Sequence, residues 1–379
     1  MNLLGLDLNA TRMLAVGGPA GTSPRPLPLD GKHTELPVAV SLEKRRPEAG
    51  RAAVGLCRRL PHLACVNFLP HLGESRTWKA GRHRLNADKA LSLVLERLRP
   101  VCAGTEGLAV AVPAYLGQER VGRLTTLAGK ARLPVLGTAA APLALAWAAH
   151  AEEPWSGLAM VGDVDDHALT WTAVAVNNER AAIVGERTLA HLGLRAWKSR
   201  LIDAVAERCV RQSRRDPRDS APAEQMLYEQ LDAACESCRQ GGLVELVIQS
   251  EHWFQHLMLR PEEVVGFCTP LARQAAREMQ ALDEELAAHD SVRTLLITAS
   301  VGRLPGLLEL VQESVSVQAQ MILLPAEAAA RATHELAACF WRGELSRGHI
   351  DVAIPLPRGP KADHGSHHQR APSILRSGF

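Results

Sequence analysis

The feature that most constrains this chain is a unit of strand, Asp, turn and strand that occurs twice. Residues 3–9 and 12–17 are short apolar runs around a tight turn, and Asp7 ends the first run. Residues 158–162 end at Asp163 and, after a polar turn, residues 168–176 alternate into another strand. Each unit is followed by the same succession of a long excursion, a buried strand, a helix and a late Ala-rich helix. In the first half these are the apolar run 107–112, a helix over 117–131, a short strand at 133–136 and a helix over 139–150. In the second half they are the apolar run 292–299 and helices over 303–314 and 326–341, with Pro325 at the first turn of the last. Alternation of this kind lays parallel strands beside each opening hairpin, so the class is α/β. A coarse duplication predicts two lobes around a central cleft.

The remaining segments fill in the two halves. Residues 36–42 read as a third strand, 87–101 as a helix capped by Asn86 or Asp88, and 183–192 as an extension of the second sheet. Helices over 194–210 and 223–239, a hairpin of 243–249 with 253–259, and a helical stretch over 262–289 kinked or divided at Pro270 read as a lid-like insertion. The expected organisation is a first lobe at 1–155 and a second at 156–342, the insertion lying near 194–290. A linker-like strand and flexible tail follow at 343–379, where Pro355, Pro357, Pro360 and Pro372 break structure.

Composition excludes several classes. Hydrophobic residues at 46% and charged residues at 22% are ordinary globular usage, so the chain has a core to bury. Lys plus Arg number 43 and Asp plus Glu 41, too balanced for the broad basic face that nucleic acid requires. The longest apolar run, 139–149, is well below the ~20 residues of a membrane span, and the first ten residues lack a basic leader. The expectation is a cytoplasmic protein with no membrane partner. Eight scattered Cys read as reduced thiols, Cys235 and Cys238 form a single C-x-x-C without a second pair, and His252 and His256 lack a metalloprotease glutamate. His364, His367 and His368 cluster in the tail with Arg358, Lys361 and Arg370.

An Asp at the end of a buried strand aims a carboxylate into a cleft, where it can hold a metal-bound water beside phosphates, or it can simply cap a turn. Here the chain resembles the nucleotide-binding domain of the seventy-kilodalton heat-shock chaperones, within the actin-like ATPases, over roughly residues 1–342. Gly5-Leu6-Asp7-Leu8-Asn9-Ala10-Thr11 is similar to that family's first phosphate loop, Gly-Ile-Asp-Leu-Gly-Thr-Thr, and Leu36-Pro37-Val38-Ala39-Val40 to its Pro-Ser-Val-Val strand. Ala111-Val112-Pro113-Ala114-Tyr115 resembles Thr-Val-Pro-Ala-Tyr, and Leu143-Ala144-Leu145-Ala146-Trp147 stands where the family has Ala-Ala-Ile-Ala-Tyr. Ala190-His191-Leu192-Gly193 resembles Thr-His-Leu-Gly, Ala234-Cys235-Glu236 the Ala-Cys-Glu on the adenine helix, and Arg303-Leu304-Pro305 the Arg-Ile-Pro after the adenosine loop.

The resemblance implies an actin-like fold of two lobes with mixed sheets flanked by helices, and a nucleotide and magnesium site in the cleft. Asp7 and Asp163 would be the metal-facing carboxylates. Asn9, Thr11, Asp165 and Asp166 would sit at the phosphate loops, and Glu236, Arg239, Ser300 and Arg303 around the adenosine. Glu236 and Arg239 also read as a solvated ion pair one helical turn apart. The departures fall on chemistry. Asn9 and Ala10 replace a Gly and a hydroxyl residue, and Leu69 or Pro70 stands where the family has its lysine. Ala139 stands for a Glu, Ala326 for an Asp, and Thr298-Ala299-Ser300-Val301-Gly302 for a Gly-Gly-Ser-Thr stretch. The second loop, glycine-rich in the family, reads Asp163-Val164-Asp165-Asp166-His167-Ala168, with Thr170 for another Asp. Extra carboxylates bring like charge to a phosphate site.

The expectation is a binding or regulatory protein with weak or absent ATP hydrolysis, weak affinity for ATP or ADP with Mg, and a protein partner or co-chaperone at the lobe surfaces. The alternative is a working Mg-ATPase in which the acidic loop shares metal. Residues 349–356, with Asp351-Val352 and Pro355-Leu356, resemble the start of the family's interdomain linker, and the expectation is that residues 350–354 add as a strand to the second lobe.

Overall fold

Both apolar units form antiparallel hairpins. Asn2–Leu8 pairs with Arg12–Pro19, from Asn2 opposite Pro19 to Leu8 opposite Met13, and Gly157–Val164 pairs with Leu169–Val176, from Gly157 opposite Val176 to Val164 opposite Leu169. Their side chains are buried on both faces, which is why they read as continuous apolar runs. The structure, a computed structural model, describes residues 1–177, 179–287, 291–314, 319–347 and 349–357.

Parallel strands extend each hairpin on one side. Gly107–Val112 lies beside Asn2–Leu8 and Val135–Ala140 beside it; Val292–Thr298 lies beside Gly157–Val164 and Gln320–Leu324 beside that. Antiparallel strands extend the other side, Arg25–Pro26 and Glu35–Pro37 in the first sheet and Arg180–Leu189 in the second. The chain is therefore α/β with two mixed sheets, and the duplication read in the sequence appears as one strand order used twice.

Two Ala-rich helices, Ala141–Glu152 and Ala328–Arg342, lie where the sheets meet. One apolar cluster joins Ala109 and Ala111 of the first sheet, Ala159 and Val161 of the second, and Ala144, Ala146, Ala332 and Leu336 of the helices. Ala141–Glu152 is buried nearly all round, so it carries no polar stripe. Close approach is demanding at Gly5, where a Cβ would sit 2.0 Å from the carbonyl oxygen of Ala330.

Several boundaries differ from expectation for identifiable reasons. The strand expected over 36–42 splits. Glu35–Pro37 joins the first sheet, whereas Ala39–Ser41 pairs with Glu48–Ala49 and Ala64–Val66 in a separate sheet; Pro37 has no N–H to continue a ladder. The strand placed at 133–136 runs instead over Val135–Ala140, and its helix starts at Ala141 with Pro142 in the first turn. Pro270 does not divide its helix: Pro261–Leu286 is continuous, with Val264, Cys268, Ala272 and Met279 holding both sides of the proline on the core. The strand Gln320–Leu324 and the hairpin of Thr77–Ala80 with His83–Asn86 carry few buried side chains and were missed.

The segment after Gly343 is a correction of another kind. Ile350–Asp351 adds in parallel to Val135–Ala140 at the edge of the first sheet, and Ala353–Pro355 adds antiparallel to Arg180–Leu189 at the edge of the second. The expected addition to the second lobe alone is thus shared between both sheets. The tail cluster of His364, His367 and His368 lies outside the described residues. Among the described residues no helix is long and apolar enough to cross a membrane.

Candidate functional site

The two hairpin turns face each other, and they are built alike. The Asn9 N–H donates to the Arg12 carbonyl at 3.0 Å, while Asn9 Oδ1 accepts from the N–H groups of Thr11 (3.0 Å) and Arg12 (2.9 Å). The Asp165 N–H likewise donates to the Ala168 carbonyl at 3.0 Å, and Asp165 Oδ1 accepts from His167 (2.8 Å) and Ala168 (3.0 Å). Each is a side chain capping its own turn, two residues beyond the strand-end Asp.

Asp165 does more than cap. Its second oxygen accepts the Ala10 N–H at 2.8 Å and the Tyr115 hydroxyl at 2.5 Å. In return the Asp166 N–H donates to Thr11 Oγ1 at 2.8 Å. The first turn's amide and hydroxyl are thereby held by the second turn. Asp165 is only 3% exposed, so these bonds are sheltered from water.

The strand-end carboxylates lie behind this seam. Arg12 bonds Asp7 at 3.3 Å, Glu35 at 3.2 Å and the Ala326 carbonyl at 3.3 Å, which ties the first turn to the start of the closing helix. Burial pushes the Asp7 carboxyl above the usual range, with Arg12 opposing. Asp163 is pushed up to about 6, first by burial and then by the charges of Asp7 and Asp165; Thr298 and the Val164 N–H oppose. Asp166 also rises to about 6 through burial, with Lys198 opposing. Asp7, Asn9, Arg12, Asp163, Thr298 and Ser300 are among the residues lining a cavity of about 20 Å³. That is space for about one water. Among the described residues no group of three His, Cys, Asp or Glu side chains is arranged to hold a metal ion.

The structure brings Asp7, Asn9, Thr11, Asp163, Asp165, Asp166 and Ser300 together at this seam. Glu236, Arg239 and Arg303 are not part of its lining. Glu236 and Arg239 pair at 2.5 Å on a partly exposed helix face and Gln240 also donates to Glu236; the hydrogen bond from Arg239, followed by that from Gln240 and the charges of Arg239 and Arg303, holds the Glu236 carboxyl low. Leu69 and Pro70 are buried in the apolar core of the first half, and Ala139 is a buried strand residue.

A second level of contacts lies above the seam. Gln225 accepts the N–H groups of Arg58 (2.7 Å) and Arg59 (3.3 Å) and donates to the Val54 carbonyl at 3.0 Å. Arg58 adds bonds to Glu224 at 3.2 Å and Ser199 at 3.1 Å, and its guanidinium lies 5.3 Å from the centre of the Tyr228 ring. Between these Gln225 and Arg58 contacts, a clasp across the two halves, and the seam is a cavity of about 440 Å³. Sequence reasoning missed Tyr115, Arg12, Gln225 and Tyr228 as site residues. Only Tyr115 stood in a recognisable segment, the Pro113-Ala114-Tyr115 stretch.

No protein-family model matches the chain, and a search of curated proteins returns no match.

Proposed function

We propose that this chain is an actin-like, two-lobed protein of the heat-shock chaperone type that serves as a binding or regulatory protein and does not hydrolyse ATP. The repeated strand order, with two Ala-rich helices between the sheets and two hairpin turns face to face, supports the actin-like reading. The matching segments at Gly5 to Thr11 and Ala111 to Tyr115 support the chaperone branch.

The observation that carries the functional reading is the bond from the Ala10 N–H to Asp165. A phosphate at that amide must displace a buried carboxylate, and it then faces Asp7, Asp163 and Asp166 as well. One unit-charge repulsion at 4 Å in a partly screened site is roughly 4 kcal/mol, about a thousandfold in affinity. The residues present do not fit a magnesium-bound triphosphate: the cavity behind the seam is about 20 Å³ and Asp7 is occupied by Arg12. With nucleotide removed as a wedge, the seam and the Gln225 clasp hold the halves together, and the lobe surfaces remain for a protein partner.

The test is phosphate release from ATP by the purified full chain, with Asp163→Ala as control. Turnover above background that disappears in Asp163→Ala would replace this reading with that of a working Mg-ATPase using an altered acidic loop. No turnover in either protein is the expected result.

A further inference from the structure

The cavity between seam and clasp has the size of a ligand pocket and an unbalanced lining. Its volume of about 440 Å³ falls within the range of small-molecule sites. Val38, Ala39, Val54, Cys57 and Val66 give it an apolar wall, and Tyr228 closes one side. Four carboxylates and three cations also line it.

Pairing those charges leaves a remainder. Arg12 is held by Asp7 and Glu35, and Lys198 by Asp232 at 2.8 Å. Arg51 is exposed. Among the described residues no cation lies within 4 Å of the Asp166 or Glu229 carboxylate, although the charges of Lys198 and Arg195 act on Asp166; Glu229 accepts from the Gln225 amide at 2.7 Å. Asp166 Oδ1 is buried with no hydrogen-bond partner. A buried carboxylate oxygen left unpartnered is costly, and the cost falls when a donor arrives.

We infer that this cavity binds a small organic cation, a primary amine or guanidinium on a short apolar body, with Asp166 and Glu229 as its acceptors. The apolar wall takes the ligand's hydrocarbon and the two carboxylates take its charge. The cavity is separate from the 20 Å³ one behind the seam, although Arg12 lines both. Because the lining comes from both halves of the chain, an occupant adds contacts across the cleft and stabilises its closed arrangement.

The experiment is calorimetric titration and thermal shift of the full chain with agmatine, putrescine and the uncharged analogue butanediol, with ATP plus magnesium as a separate arm. Saturable binding of agmatine or putrescine, with no response to butanediol, is expected. Asp166→Asn should weaken it by at least about tenfold, the size of a lost charged hydrogen bond, and Glu229→Gln by a smaller factor. Val54→Phe, which fills the cavity and leaves the carboxylates in place, should abolish it. The inference is overturned if neither amine saturates, or if Val54→Phe with an unchanged melting temperature binds agmatine like the parent. Agmatine binding alongside ATP capture would support this site while counting against the reading of the preceding section.

Discussion

The backbone N–H of Ala10 donates to the carboxylate of Asp165 at 2.8 Å, across 155 residues of sequence. Each belongs to a turn that caps itself in the same way, so the contact joins the two copies of the duplicated unit at equivalent corners. A carboxylate of the second turn thus occupies the free amide of the first.

Removing that carboxylate should destabilise the whole chain. Asp165→Ala leaves the N–H groups of Ala10, His167 and Ala168 and the Tyr115 hydroxyl without their acceptor, at a cost of roughly 3 kcal/mol or more. Tyr115→Phe removes one donor only and should cost about 1–2 kcal/mol. Urea unfolding of both variants and the double variant should show coupling between them; additive losses would mean that the 2.5 Å contact contributes little.

Stability should fall as pH rises through the range set by the raised carboxyls. Asp163 and Asp166 titrate near 6 in the folded chain and near 3.8 unfolded, so the folded state binds more protons between those values. Their favourable contribution is complete below about 3.8 and lost above about 6. Asp163→Asn should therefore gain stability relative to the parent on going from pH 4 to pH 7, by about 1–3 kcal/mol. Parallel melting-temperature profiles for the two proteins would contradict this.

The clasp should open separately from the seam. Gln225→Ala deletes the acceptor for the Arg58 and Arg59 amides, which predicts roughly 1–3 kcal/mol lost and faster amide exchange over residues 54–59. Exchange at Ala10 and Asp166 should change less. Equal acceleration at both levels would show that the halves separate as one step.

Packing between the sheets should tolerate no Cβ at Gly5. An added methyl there meets the Ala330 carbonyl at 2.0 Å and the His334 amide nitrogen at 2.4 Å, both helix backbone that cannot rotate away. Gly5→Ala should cost about 3 kcal/mol, read as a shift in the denaturant midpoint. A shift within error would mean that Ala328–Arg342 is free to move off the sheet.

The sequence revealed the duplicated hairpins because strands buried on both faces leave uninterrupted apolar runs with a polar turn at one end. Gln320–Leu324 was invisible for the opposite reason: only Leu324 is fully buried, so no run or alternation marks it. The strands Ile350–Asp351 and Ala353–Pro355 are too short to declare which sheet edge each would join. At the site, Asp7, Asp163 and the acidic turn were legible as residues. The partner of each was not: neither Arg12 bridging Asp7 to Ala326 nor Asp165 reaching the first turn follows from local pattern. Reading the carboxylates of the second turn as like charge did not reveal that one of them holds the first turn's amide.

The most direct test of the account is calorimetric titration of ATP with magnesium into the purified full chain at neutral pH. With the seam closed, the chain should give no saturable heat up to about 1 mM ATP, a limit of roughly 4 kcal/mol in binding free energy. Micromolar, magnesium-dependent binding that disappears in Asp163→Ala would contradict it.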